Sequence, residues 1–197
     1  MKAMFLTAAL LAAATTASAG ELTGEARFAD TRNVKGSSEA VLTYTADVPA
    51  AYASYLKVPS AYVTGLTWGA EASSLQPEHS GAVSTKLDVH AGAKLALING
   101  VAVVPAVEVG QSYQQGHDAP FWGVGATASY PVTERVSVDT GFRYRQSLRN
   151  ATDINEDRYN FGASYAVAKD TKVGLEYYRT TGTVHSDAVG LKVARSF

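Results

Sequence analysis

The final ten residues, AVGLKVARSF (188–197), decide how the chain folds. Val189, Leu191 and Val193 share one parity with the terminal Phe197, and the positions between them hold small or polar residues. Side chains of an extended strand point alternately to its two faces. The stretch therefore predicts a strand with one apolar face and one polar face.

The other end of the chain has the pattern of a secretory signal peptide. Lys2 precedes an apolar stretch over residues 3–14, and Ala17-Ser18-Ala19 matches a cleavage site. The apolar stretch is too short to cross a bilayer as a helix. We therefore expect a signal peptide over 1–19, cleaved after Ala19, and a single domain over 20–197.

The composition excludes several classes of protein. The chain of 197 residues has 17 Lys and Arg against 18 Asp and Glu, so no basic excess indicates a nucleic-acid partner. It contains no cysteine, which excludes a disulfide framework and a thiolate metal site. No later apolar run approaches the roughly 18 residues of a transmembrane helix. We expect neither a cofactor nor a bound metal.

The same alternation of apolar and polar residues recurs along the whole chain. The clearest case has Leu87, Val89 and Leu95 on one parity and charged or small residues on the other. Transmembrane barrels need an even number of such segments, each about ten residues long. The segments are 21–30, 40–48, 61–71, 86–97, 101–113, 121–130, 136–145, 159–166, 172–178 and 188–197.

The links and the aromatic residues favour a membrane barrel over a soluble sandwich. Short turns at 99–100, 131–135 and 168–171 alternate with longer polar links at 31–39, 72–84, 111–120, 146–157 and 180–186, with a long link at 49–60 as the exception. Aromatic residues collect at both ends of the segments, as in the two girdles of such barrels. One group is Tyr62, Tyr130, Tyr165 and Phe197, and the other is Tyr113, Trp122, Tyr144, Tyr159 and Tyr177. We predict an all-β, antiparallel transmembrane β-barrel of about ten strands, with eight or twelve as alternatives, short periplasmic turns and longer external loops.

Several motifs in the second half of the chain resemble those of a known group of proteins. They are FRYR (142–145), RN (149–150), RYNFG (158–162) and AKDTKVGLEYY (168–178). From about Thr85 onward the chain resembles the small bacterial outer-membrane porin families, above all the oligosaccharide-specific porins of the oligogalacturonate and sialic-acid type. The resemblance implies the outer membrane of a Gram-negative bacterium, contact with membrane lipids and lipopolysaccharide, and assembly by the barrel-assembly machinery through the strand ending at Phe197. Those porins have more strands than the ten segments found here, and Arg195 lies on the lipid-facing parity.

The polar parity predicts a charged barrel interior. The pore-lining candidates are Arg27, Lys86, His90, Lys94, Glu108, Asp139, Arg143, Arg145, Glu176 and Lys192. Arg143 and Arg145 would favour anions, and glycines on the same parity would leave space. We therefore predict a narrow passive channel for small anionic solutes. The alternative is that the charges pair into a plug, which would make the protein a structural barrel that supports membrane integrity or adhesion.

A lipid-modifying enzyme is the third possibility, because His185 and Ser186 are residue types used in nucleophilic catalysis. Consecutive positions in a strand point to opposite faces, however, so the two cannot readily form a hydrogen-bonded pair. His79 and His117 have Glu78 and Asp118 beside them but lie in different links, without metal-ligand spacing. We predict that the protein is not an enzyme and has no catalytic residues.

Overall fold

The computed structural model describes residues 20–31, 34–49, 63–77, 83–97, 100–114, 117–149 and 154–197. Within this part of the chain, ten antiparallel strands close into a barrel, each paired with its neighbours in sequence. No helix of the described residues is long and apolar enough to cross a membrane. The strands are β1 (Glu21–Thr31), β2 (Val34–Asp47), β3 (Val63–Pro77), β4 (Ser84–Ala96), β5 (Ala102–Gln114), β6 (His117–Pro131), β7 (Val136–Ser147), β8 (Asn155–Ala166), β9 (Thr171–Gly182) and β10 (Ser186–Ser196).

The two terminal strands close the barrel. β1 pairs with β10 from Glu21 opposite Ser196 to Thr31 opposite Ser186. Beyond the pair, the Phe197 N–H donates to the Gly20 carbonyl oxygen at 2.9 Å. Closure leaves no open edge, and lipid tolerates a β-sheet only when its backbone groups are bonded internally. The prediction of a ten-stranded antiparallel barrel is confirmed.

The strands extend further than the apolar alternation predicted. β2 already begins at Val34 and β3 continues to Pro77, so much of the expected links 31–39 and 72–84 is strand. The same holds for 111–120, 146–157 and 180–186, where the described links are shorter than predicted. In these regions the outer face of the strands becomes polar, so apolar and polar residues no longer alternate. The backbone hydrogen bonds between the strands continue nevertheless. The expected signal peptide (1–19), residues 50–62 with Tyr62, and Glu78 with His79 lie outside the described residues.

The barrel is apolar outside and charged inside. Phe161, Val107 and Leu191 are 61%, 59% and 58% exposed, whereas Arg145 and Asp88 are buried. This distribution is the reverse of that in a soluble domain, where large exposed apolar patches are rare. The outer face is therefore suited to an apolar solvent.

Aromatic side chains lie near both ends of the barrel on its outer face. Tyr130 and Tyr165 lie at the end that holds Gly20 and Phe197, which we call the terminal end. Near the opposite end, the loop end, Trp122 stacks edge-on with Tyr144 at 5.7 Å between ring centroids. Phe142 packs against Tyr159 at 5.1 Å. The two groups lie where aromatic girdles of a membrane barrel would lie.

Candidate functional site

The largest set of interior charges surrounds Arg145 of β7. Its guanidinium donates to Glu108 of β5 at 2.5 Å and to Asp88 of β4 at 2.6 Å, and it lies 3.4 Å from Glu71 of β3. Arg143, two residues earlier on the same face, contacts Glu71 at 3.2 Å. We call these five residues the Arg145 cluster. It joins β7 to three strands across the barrel, and the Arg145 side chain is only 3% exposed.

A second cluster is built on Arg27 of β1. The guanidinium contacts Glu25 at 2.9 Å and Glu39 of β2 at 3.1 Å. It also donates to the Tyr178 hydroxyl of β9 at 3.2 Å, and its carbon lies 4.1 Å from the centroid of the Tyr178 ring. Arg27 is therefore fixed by charge, by a hydrogen bond and by a cation–π contact together.

Two lysines form further ion pairs inside the barrel. Lys86 of β4 contacts Glu156 of β8 at 2.9 Å, and the pair spans the interior near the loop end. Lys192 of β10 contacts Glu176 of β9 at 2.9 Å and Asp139 of β7 at 3.2 Å. The Lys86–Glu156 and Lys192–Asp139 pairs tie strands that are not neighbours in the sheet, whereas Lys192–Glu176 joins the adjacent strands β10 and β9.

His90 and Lys94 complete the ten predicted pore-lining residues. His90 Nδ1 lies 3.5 Å from Asp88 Oδ1, at the edge of the Arg145 cluster. Lys94 pairs with Asp47 at 2.5 Å near the terminal end, where the two side chains are 43% and 65% exposed. All ten side chains lie on the interior parity, and the structure groups nine of them into ion pairs, with His90 beside one. Their part in conduction stays a prediction.

The inward-facing glycines make room for these charged side chains, which differs from the prediction that they leave open space. A Cβ on Gly123 would overlap the Glu108 side chain, and one on Gly190 would overlap Glu25. A Cβ on Gly69 would overlap the His90 ring. Long side chains lie flat against the inner wall at these glycines, so much of the freed space is filled.

Among the described residues, a series of three cavities lies along the barrel from one end to the other. The inner cavity, about 730 Å³, reaches Gly20 and Phe197 at the terminal end. The middle cavity, about 250 Å³, shares Thr43, Asn160 and other wall residues with it. The outer cavity, about 90 Å³, is lined by Gln114 and Ser186 near the loop end.

The middle and outer cavities adjoin each other at a shared part of their walls. Both are lined by Arg27, Arg158 and Tyr178, which we call the constriction. A solute that travels the length of the interior has to pass these three side chains.

Several interior residues are not among the predicted pore-lining candidates. Glu39, Glu156 and Arg158 fall just outside the predicted segments, although each continues the polar parity of its strand. Glu71 was on the polar parity but was not included among the pore-lining candidates. Extending the alternation into the polar flanks would have found Glu39, Glu156 and Arg158, whereas Glu71 already lay within a predicted segment.

The other polar candidates among the described residues are His185, Ser186, His117 and Asp118. His185 is exposed in the link before β10, and Ser186 faces the outer cavity. Among the described residues, no hydrogen bond joins these two side chains, and no group of three or more His, Asp or Glu could hold a metal ion. The predicted absence of an enzyme activity stays a prediction.

The fold defines the protein as a β-barrel of the bacterial outer-membrane type. The chain is similar to the β domain of the Bordetella autotransporter BrkA, with 11% identity, 92% of this chain and 100% of that chain covered, and a TM-score of 0.52. It is also similar to the KdgM porin, with 12% identity, 90% and 99% coverage and a TM-score of 0.49. A third similar structure is the translocator domain of the autotransporter NalP from Neisseria meningitidis, with 8% identity, 98% and 96% coverage and a TM-score of 0.49. No protein-family model and no curated protein matches the chain.

Proposed function

We propose that the protein is a narrow passive channel in the bacterial outer membrane for small anionic solutes. The observation that carries this proposal is the series of three cavities through the barrel, in which each cavity shares wall residues with the next. Polar side chains line the path throughout, so a hydrated solute can exchange water for protein contacts along it. The constriction and the interior ion pairs lie along this path.

The outer surface supports the membrane location. A closed barrel with exposed Phe161, Val107 and Leu191 keeps its backbone groups bonded and offers lipid an apolar belt. Membrane lipids and lipopolysaccharide would surround this belt. The closing strand β10, followed by Phe197, would be the segment that the barrel-assembly machinery binds.

Charge at the loop end supports a preference for anions. The outer cavity is lined by three cationic side chains, Arg27, Lys86 and Arg158, and by two carboxylates, Glu39 and Glu156. Arg27 and Lys86 are paired with carboxylates, whereas no described carboxylate forms an ion pair with Arg158, so the charge of Arg158 can attract anions to this cavity. Arg145 contributes little to this field because three carboxylates surround it.

A plugged structural barrel is the second candidate function. The Lys86–Glu156 pair and the Arg145 cluster both cross the interior and hold opposite walls together. If these contacts never open, the cavities stay separate and the barrel only stabilises the membrane.

Single-channel recording in planar lipid bilayers distinguishes the two functions. We expect discrete current steps from the refolded protein, and larger steps from Tyr178→Ala because the variant widens the constriction. Tyr177→Ala is the matched control, since Tyr177 is the neighbouring residue on the outer face. If the wild type and both variants give no steps above background, the channel proposal is wrong and the structural function stands.

A further inference from the structure

Arg158 differs from the other arginines in the barrel interior. Arg27, Arg143 and Arg145 each contact at least one carboxylate at 3.2 Å or less. Of the residues that the structure describes, no carboxylate lies within ion-pair distance of Arg158. Its Nε donates only to the Thr180 hydroxyl, at 3.4 Å. The guanidinium therefore keeps most of its donors available.

The neighbouring acids are held by other cations. Glu39, whose charge attracts Arg158 from a distance, is bound by Arg27 at 3.1 Å. Glu156, two residues earlier on the same face of β8, is bound by Lys86. Across the strand pair, Arg158 faces Arg143 and so has another cation beside it. Both acids are therefore paired with other cations, and no described carboxylate forms an ion pair with Arg158.

The position of Arg158 gives this charge a function. It lines both the middle and the outer cavity, so a solute moving between them passes its side chain. Tyr178, with its ring centroid 5.9 Å from the Arg158 guanidinium carbon, forms another part of the same wall. A cation without a carboxylate partner in a narrow polar passage attracts an anion from solution.

We propose that Arg158 is the oxyanion-binding residue of the constriction and determines which solutes pass it. The inference deepens the proposed channel function and rests on it. A guanidinium presents a planar fork of N–H donors that matches the two oxygens of a carboxylate or phosphate. The solute class is thus a small molecule with a carboxylate or phosphate group, which displaces water from Arg158 and is released to the next cavity.

The main test uses inorganic phosphate as the probe in planar bilayers. Phosphate added to a chloride electrolyte should reduce the wild-type single-channel current as it occupies Arg158. In Arg158→Gln we expect the half-blocking phosphate concentration to rise about tenfold, which corresponds to about 1.4 kcal/mol. Acetate in place of phosphate distinguishes a carboxylate from a phosphate preference. Block at the same phosphate and acetate concentrations in wild type and Arg158→Gln would overturn the proposal.

Two further variants separate oxyanion binding from a general effect of charge. Arg158→Lys keeps the charge but removes the planar fork, so anion selectivity should persist while phosphate block weakens. Arg179→Gln is the matched control, because it removes an arginine from the outer face of β9, next to Thr180. An effect in Arg179→Gln equal to that in Arg158→Gln would contradict the assignment. If Arg158→Gln does not refold, Arg158→Lys is compared with the wild type instead. Weaker phosphate block in Arg158→Lys supports the assignment, and equal block contradicts it.

A binding measurement separates failure of this inference from failure of the channel function. If no protein gives current steps, phosphate can be titrated against the refolded barrel in detergent micelles and followed by ³¹P NMR line broadening. If phosphate binds the wild type but not Arg158→Gln, the assignment of the anion site stands although the channel proposal fails. No binding, or equal binding to both proteins, would overturn the inference.

Discussion

The two halves of the barrel interior are built on the same ten strands but are filled differently. Toward the loop end, the Arg145 cluster packs with Phe121, which is fully buried, and its guanidinium lies 4.9 Å from the ring centroid. Toward the terminal end, a cavity of about 730 Å³ remains and the Lys94–Asp47 pair is exposed. Strand number sets the diameter of a barrel. Here the lengths of the interior side chains and their ion pairs determine which half of the interior is filled.

Removal of Arg145 should have the largest effect on stability. Arg145→Met leaves Asp88 and Glu108 buried without their main partner, and breaking a buried ion pair from one side costs about 3–5 kcal/mol. Urea unfolding of the refolded barrel in lipid vesicles, followed by tryptophan fluorescence, measures this loss. A change below about 1 kcal/mol would mean that water reaches these carboxylates and that the loop-end half is open.

Glycines test the same difference in packing. A Cβ on Gly123 would overlap Glu108 and lie 2.6 Å from the Tyr144 carbonyl oxygen, whereas one on Gly65 would meet only Lys94, at 3.9 Å. We expect Gly123→Ala to cost about 1–3 kcal/mol through overpacking. Gly65→Ala should change the free energy of unfolding by less than about 0.5 kcal/mol. Equal effects in the same urea assay would contradict the contrast between a filled half and an open half.

The sequence predicted the two faces of the sheet much better than the contacts between its walls. Alternation with a period of two residues shows on which face of the sheet each side chain lies. This was sufficient to predict the number of strands, closure of the barrel at Phe197 and the interior position of Arg143 and Arg145. It carries no information on distances across the barrel. That Arg145 meets Asp88 of a distant strand depends on barrel curvature and on strand stagger, which no local pattern encodes.

The missed residues have a related cause. Arg158 and Glu156 precede the apolar part of β8, where the outer face is already polar and the alternation used to find strands has disappeared. The glycines were misinterpreted for a different reason. A glycine shows that a side chain is missing at its own position, but the neighbouring Glu108 or His90 that fills the space lies on another strand.

Lys192 tests the region between the two halves. Its ammonium contacts Glu176 and Asp139, and both of these acids line the inner cavity. In Lys192→Met, water in that cavity can solvate the two carboxylates, and Asn160 still donates to Glu176. We expect a loss of roughly 1.5 kcal/mol in the urea assay, less than for Arg145→Met. A loss as large as that of Arg145→Met would show that the inner cavity does not hydrate its walls.

The Lys94–Asp47 pair should show the smallest effect, although its 2.5 Å separation is the shortest among the lysine pairs. Its side chains are 43% and 65% exposed, so water already solvates both charges and salt screens them. Lys94→Met should therefore change the free energy of unfolding by less than about 1 kcal/mol, and high salt should reduce even that difference. The change in the double variant Lys94→Met with Asp47→Asn should equal the sum of the changes in the two single variants, because little coupling energy is present to lose. A coupling above about 1 kcal/mol in this double-mutant cycle would mean that the terminal-end half is as desolvated as the Arg145 cluster, and the contrast between the two halves would fail.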